Sequence, residues 1–120
     1  MNPSAAVLTF PKEARILARR EFLLLQQRGK KRHGHHFLVI TAPGRTQRSR
    51  LGITTSRRFG KSVDRNRMKR LLREFFRERQ HALFPAVDIV IIPKAGAHQL
   101  SLPQIDAELE RLLSLSSRAS

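Results

Sequence analysis

The chain has 120 residues and carries 24 Lys+Arg against 9 Asp+Glu, a formal charge of +15. This length supplies one domain, and an apolar share of 40% gives it a modest core to bury, which excludes a wholly disordered basic tail. The absence of cysteine excludes a disulfide framework, thiolate metal ligands and cysteine nucleophiles, and no apolar run approaches the roughly 18–20 residues of a membrane span.

Residues 1–11 show no periodicity, contain Pro3 and Pro11, and lack both the early charge and the long apolar stretch of a secretory signal. They are expected to form a flexible lead-in to a single domain over residues 12–115, and a cytoplasmic protein is expected. From Glu13 to Gln27 the residues Ile16, Leu17, Phe22, Leu23, Leu24 and Leu25 predict a helix, ended by Arg28-Gly29. Lys30–His33 reads as a short basic strand, and His36–Ala42 as a strand rich in apolar and β-branched residues. Pro43-Gly44 is a turn signal, and Arg50–Ser56 is a further strand with Leu51, Ile53 and Thr55 on one face. Asp88–Ile92 is an almost continuous apolar run of the kind found in buried strands, stopped by Pro93. Leu102–Leu115 is a terminal helix with Ile105, Leu109, Leu112 and Leu113 at helical spacing, and a tail over 116–120 is expected to fray.

The charge is unevenly placed. Residues 1–79 hold 21 Lys/Arg and 5 Asp/Glu, whereas residues 80–120 hold 3 and 4. A pI near 11.9 on a small domain points to a polyanion as partner, and the asymmetry assigns that partner to the first two thirds of the chain.

The informative stretch is Arg57–Arg79, RRFGKSVDRNRMKRLLREFFRER. Gly60 marks the turn out of the preceding strand, and Ser62 or Asp64 can cap the helix that follows. Met68, Leu71, Leu72, Phe75 and Phe76 recur at i, i+3, i+4, i+7 and i+8, which makes one apolar stripe. At about 100° per residue, Arg65, Asn66, Lys69, Arg70, Arg73 and Arg77 fall on a face beside it. Glu74 and Glu78 fall in a third sector near Arg67. Arginine offers a planar fork to phosphate oxygens, lysine a point charge, and Asn66 a donor and an acceptor for orientation. The arginine heads at 65 and 67 are expected to point to solvent, with some structural pairing of Arg70 to Glu74.

Other candidates are weaker. His33, His35 and His36 cluster, but a metal site needs further fixed ligands, and none is evident. Asp64 and Asp88 could be imagined as a two-carboxylate nuclease site, but a helix cap and a strand-edge residue explain them better. No phosphate loop or serine triad is present, and no second helix stands at helix-turn-helix distance, so DNA is not expected as a partner.

The run LGITTSRRFGKSVDRNRMKRLLREFFR resembles the protein component of bacterial ribonuclease P. That family carries a strand ending in Ser-Lys-Lys, a glycine, a small-Val pair, Arg-Asn-Arg, Lys-Arg and Arg-Glu. The corresponding pieces here are Ser56-Arg57-Arg58, Gly60, Ser62-Val63, Arg65-Asn66-Arg67, Lys69-Arg70 and Arg73-Glu74. Weaker similarity at Phe22, Gly29-Lys30, Phe37, Asp88-Ile89-Val90 and Pro93 extends it over roughly residues 15–115. The resemblance implies an α+β fold, a two-layer α/β sandwich in which a four-stranded mixed sheet packs against helices. It also implies a left-handed β-α-β crossover through the basic helix, of a type related to a ribosomal protein domain.

The resemblance further implies a subunit of a ribonucleoprotein whose RNA performs the chemistry. The holoenzyme is an endoribonuclease that removes the 5′ leader of precursor tRNA with magnesium held mostly by RNA. It implies RNA contacts for Arg65, Asn66, Arg67, Lys69, Arg70 and Arg73, entry positions for Arg58 and Lys61, and a leader cleft lined by Phe22 and Phe37; Arg57 and, from the helix face, Arg77 join the expected RNA-binding residues. It implies no catalytic residue on this chain, and the ribonuclease P RNA and precursor tRNA as partners. Arg57-Arg58 stand where the family more often has Lys-Lys, and Gln26 and Ile40 where it often has aromatics. With no Tyr or Trp, stacking must rest on Phe or Arg planes. The alternatives are a structural RNA-binding protein of ribosomal type, and a protein-only nuclease that lacks a convincing carboxylate cluster.

Overall fold

The computed structural model describes residues 19–44, 46, 48–55, 59–83 and 86–114. The expected lead-in and tail, the first part of the expected first helix, and Arg57 and Arg58 lie outside the described residues. In chain order the elements are α1 (Arg19–Arg28), β1 (Lys30–His33), β2 (Phe37–Pro43), β3 (Arg50–Ile53), α2 (Ser62–Arg79), β4 (Val87–Pro93) and α3 (Leu102–Leu112). Short 3-10 turns stand at Gln80–Ala82 and Ala97–Gln99.

The four strands form one mixed sheet in the order β1-β2-β4-β3. The β1–β2 and β2–β4 pairs are antiparallel, and β3 runs parallel to β4 with α2 as the crossover between them. The unbroken apolar run of β4 is explained by its central place, where both faces are covered. Alternation sorts the strand residues to two sides. Phe37, Val39, Leu51, Ile89 and Ile91 meet Met68, Leu72, Phe75 and Phe76 of α2 and Ile105 and Leu109 of α3 in the main core. Ile40 and Val90 face the other way and meet Leu25 of α1, with Phe22, Leu38, Ala42 and Ile92 packed around them.

Three sequence expectations change. Asp88 is not at a strand edge: it lies on central β4, opposite both Ala42 and Arg50, and is 1% exposed. Neither Ser62 nor Asp64 caps α2; the cap position is Lys61, without a side-chain bond, and Asp64 instead offers its charge to the first turn. The terminal helix stops at Leu112 because Ser114 takes a left-handed conformation at φ 57. Its start is firm: Ser101 and Gln104 form a reciprocal capping box. At the other end of the domain Gly29 permits a close approach. A Cβ there would collide with Ile40 Cγ2 and the Leu25 carbonyl, so β1 can leave α1 tightly against β2 only with glycine.

Candidate nucleic-acid interface

Helix α2 is held by its apolar stripe. Met68, Leu71, Leu72, Phe75 and Phe76 are all buried, which rotates Asn66, Arg70 and Arg73 fully outward. Lys69 and Arg77 flank them, partly exposed. Among the described residues the side chains of Lys61, Asn66, Lys69, Arg70, Arg73 and Arg77 make no ion pair or hydrogen bond, and the Arg70–Glu74 pairing does not form. These donors are left for an external acceptor. Three acidic residues on or near α2 are drawn off elsewhere: Glu78, Asp106 and Glu110 all surround Arg79, whose guanidinium lies 4.2 Å over the Phe75 ring and links α2 to α3.

Arg65 and Arg67 depart from the expectation of solvent-facing heads. Arg65 folds back to donate to the Gly60 carbonyl at 3.0 Å and the Ser62 hydroxyl at 3.2 Å. Arg67 reaches the His98 carbonyl at 3.4 Å on the opposite flank. Both are half-buried, because helical rotation places them at the two margins of the core stripe while Asn66 projects between them. Val63, 75% exposed, stands among these groups at the head of the helix.

The opposite sheet face carries a second feature. Three cross-strand rows lie on the α1 side. Ala42–Asp88–Arg50 is roofed by Glu21, because Arg50 donates to Asp88 at 3.1 and 2.9 Å and to Glu21 at 3.2 and 2.8 Å. Those bonds, to Asp88 first and then Glu21, raise the Arg50 pKa further, so the buried guanidinium stays charged. The second row, Lys31–Ile40–Val90–Gly52, is roofed by Leu25. The third, His33–Leu38–Ile92, continues toward Thr54 and remains partly open, with Phe22 half-buried on the α1 side. An exposed cation face on one helix and an open apolar row beside another can together hold a polyanion and its bases.

The family model for ribonuclease P matches residues 10–116. The chain belongs to the ribonuclease P protein family. It is 39% identical over 112 residues to the ribonuclease P protein component of Desulfatibacillum aliphaticivorans, covering 93% of this chain and 95% of that one. The corresponding protein of Citrifermentans bemidjiense is 43% identical over 100 residues, 83% and 85% of the two chains. Among solved structures, a Staphylococcus aureus RNase P protein mutant with defective mRNA degradation activity superposes with a TM-score of 0.82 at 30% identity, covering 95% and 96%. The Thermotoga maritima RNase P protein superposes at 0.75 with 31% identity, covering 86% and 98%. Membership makes the chain a protein component of ribonuclease P, an endoribonuclease of tRNA processing, and disfavours the ribosomal-type alternative.

Within the ribonuclease P reading, Phe22 and Phe37 part company. Phe22 is half-buried on the α1 side, while Phe37 is 0% exposed in the core beneath α2 and α3. Phe37 therefore cannot line a cleft on the α1 face: one step along a strand inverts the side chain. The imagined Asp64–Asp88 nuclease pair fails as well, because Asp88 is sealed against Arg50. Among the described residues no group of three His, Asp or Glu could hold a metal ion. The two buried carboxylates are already committed, Asp88 to Arg50 and Glu108 to His36, so these residues do not fit a magnesium cage.

Sequence reasoning missed two arrangements. The Glu21–Arg50–Asp88 triad joins residues far apart in sequence; its one signal was a carboxylate opening an otherwise apolar strand. Glu108, on α3, accepts from the His36 backbone N–H at 2.7 Å and lies 2.9 Å from His36 Nδ1. Burial alone would push Glu108 up, but these bonds outweigh it and hold the carboxyl below its usual value. His36 thus leaves the histidine cluster for a structural tie, whereas His33 and His35 stay exposed.

Proposed function

We propose that this chain binds the RNA subunit of ribonuclease P through the outward face of α2 and receives the single-stranded 5′ leader of precursor tRNA on the open row beside α1. The observation that carries this reading is the set of unpaired donors at Asn66, Lys69, Arg70, Arg73 and Arg77 on a helix whose other side is locked into the core. Leaders differ in sequence, so contacts to phosphate and the apolar floor of Leu38 and Ile92 suit them better than base-edge readout. Hydrolysis is left to the RNA with magnesium at RNA phosphates, and the protein lowers the repulsion between two polyanions. Such a role belongs in the cytoplasm, and among the described residues no helix is long and apolar enough to cross a membrane.

Reconstitution tests this. Added to a cognate ribonuclease P RNA at low magnesium, the protein is expected to enhance 5′ cleavage of precursor tRNA. Cleavage by the protein alone, or no enhancement with RNA, rejects the reading.

A further inference from the structure

The basic strand β1 is not absorbed by the α2 interface. It is an edge strand, separated from β3 by β2 and β4, so three strand spacings, about 14 Å, lie between the two edges. Its four residues divide by facing. Lys30 pairs with Thr41 and Arg32 with Val39, in the rows that face α2 and α3; Arg32 donates to the Leu112 carbonyl and the Ser114 hydroxyl and is spent on structure. Lys31 pairs with Ile40 and His33 with Leu38, in the rows of the α1 face. Both are exposed, and among the described residues neither side chain has a hydrogen bond or ion pair.

The open third row therefore has direction. It begins at Thr54, where β3 leaves toward the head of α2, crosses Ile92 and Leu38, and ends at His33 with Lys31 one row away. Along it an apolar floor finishes in two unneutralised donors. Three carboxylates on the sheet and on the helices against it are engaged elsewhere: Glu21 and Asp88 hold Arg50, and Glu108 holds His36. An apolar track closed by an ammonium and an imidazole N–H fits an extended single strand, with bases lying on the floor and backbone phosphate at the end.

We propose that Lys31 and His33 form a phosphate-binding point at the β1 edge, holding the stretch of the 5′ leader that reaches the end of the track opposite the β3–α2 junction. This rests on the reading of the α1-side row as the leader track. The two residues act on substrate affinity, because they stand at the opposite sheet edge from the β3–α2 junction.

The test uses the reconstituted holoenzyme and two precursor tRNAs, one with a long leader and one trimmed to a single leader nucleotide. Lys31→Ala and His33→Ala are expected to weaken binding of the long-leader substrate about three- to fivefold each, as for an exposed charged contact. Lys31→Ala should also lower the log–log salt slope by about 0.7, the value for one single-strand phosphate. The loss should be confined to the long-leader substrate. Lys30→Ala is the control: it removes the same charge from the same strand on the opposite face, and should leave leader-length dependence intact. All three side chains are exposed, and unchanged melting temperatures would establish folding. Equal losses on both substrates, a Lys30→Ala effect as large as that of Lys31→Ala, or variants indistinguishable from the parent would overturn the β1 assignment. A parent holoenzyme that does not distinguish the two leaders would instead overturn the leader-track reading, and this proposal with it.

Discussion

Asp88 and Arg50 show how much one buried pair can control. Asp88 is sealed on the central strand, and Arg50 spans it and Glu21, so a charge-assisted network connects α1 to the sheet. Removing one partner leaves a buried charge uncompensated, which is worth far more than the pair's net contribution. Arg50→Ala, which strips the sealed Asp88 carboxylate of its guanidinium, is therefore expected to destabilise the domain by about 3–5 kcal/mol in denaturant melts. The outward cations of α2 behave oppositely. Arg70→Ala and Arg73→Ala should leave the melting temperature within error and weaken RNA-subunit binding, because these heads are exposed and make no ion pair or hydrogen bond among the described residues. Arg67 is intermediate: its long bond to the His98 carbonyl predicts a stability cost below about 1 kcal/mol in Arg67→Ala, with a larger loss in RNA affinity.

The elements are fixed by stripes and ties. Phe75 is 3% exposed between the sheet and Arg79, and Phe75→Ala should cost about 3–5 kcal/mol through the cavity it leaves. A Phe75→Ala protein that folds normally but fails to bind RNA would contradict the facing of α2. Helix α3 is tied to the β1–β2 turn by Glu108 and His36, while Lys94 donates to the Gly34 carbonyl at 2.9 Å from the loop after β4. Because Glu108 is held below its ordinary value, its stabilisation is full above the ordinary carboxylate range. It is lost as pH falls through the lowered value. Replacing Glu108 by Gln should thus lower the melting temperature above the ordinary carboxylate range, with the deficit vanishing as pH falls through the lowered value, so that thermal melts show a flattened acid limb.

At the scale of the whole molecule, two of the basic surfaces among the described residues stand apart from one another. One follows α2 on one side of the sheet; the other is the β1 edge at the far end of the α1-side row. Two separated surfaces allow one small domain to touch two RNA strands at once, with the neutral core between them. Holoenzyme assembly should weaken steeply with salt, the log–log slope falling by about 0.7–0.9 for each α2 cation removed, whereas the Lys31 contribution should register in substrate affinity alone.

Residue order alone made the α2 amphipathicity legible, since the period of the apolar residues fixes which side of a helix faces a core. The same holds for the strand at Asp88–Ile92, and for the family likeness along residues 51–77. What it left undecided were relations between elements. Phe22 and Phe37 are both aromatic and both close to a helix-strand boundary, and only the pairing register put them on opposite sides of the sheet. Asp88 became central, and Lys31 came to differ from Lys30, for the same reason: which neighbour a strand takes, and in which register, is settled by long-range hydrogen bonding and by the burial of both faces. Local periodicity specifies a face for each element, but the tertiary structure decides what that face meets.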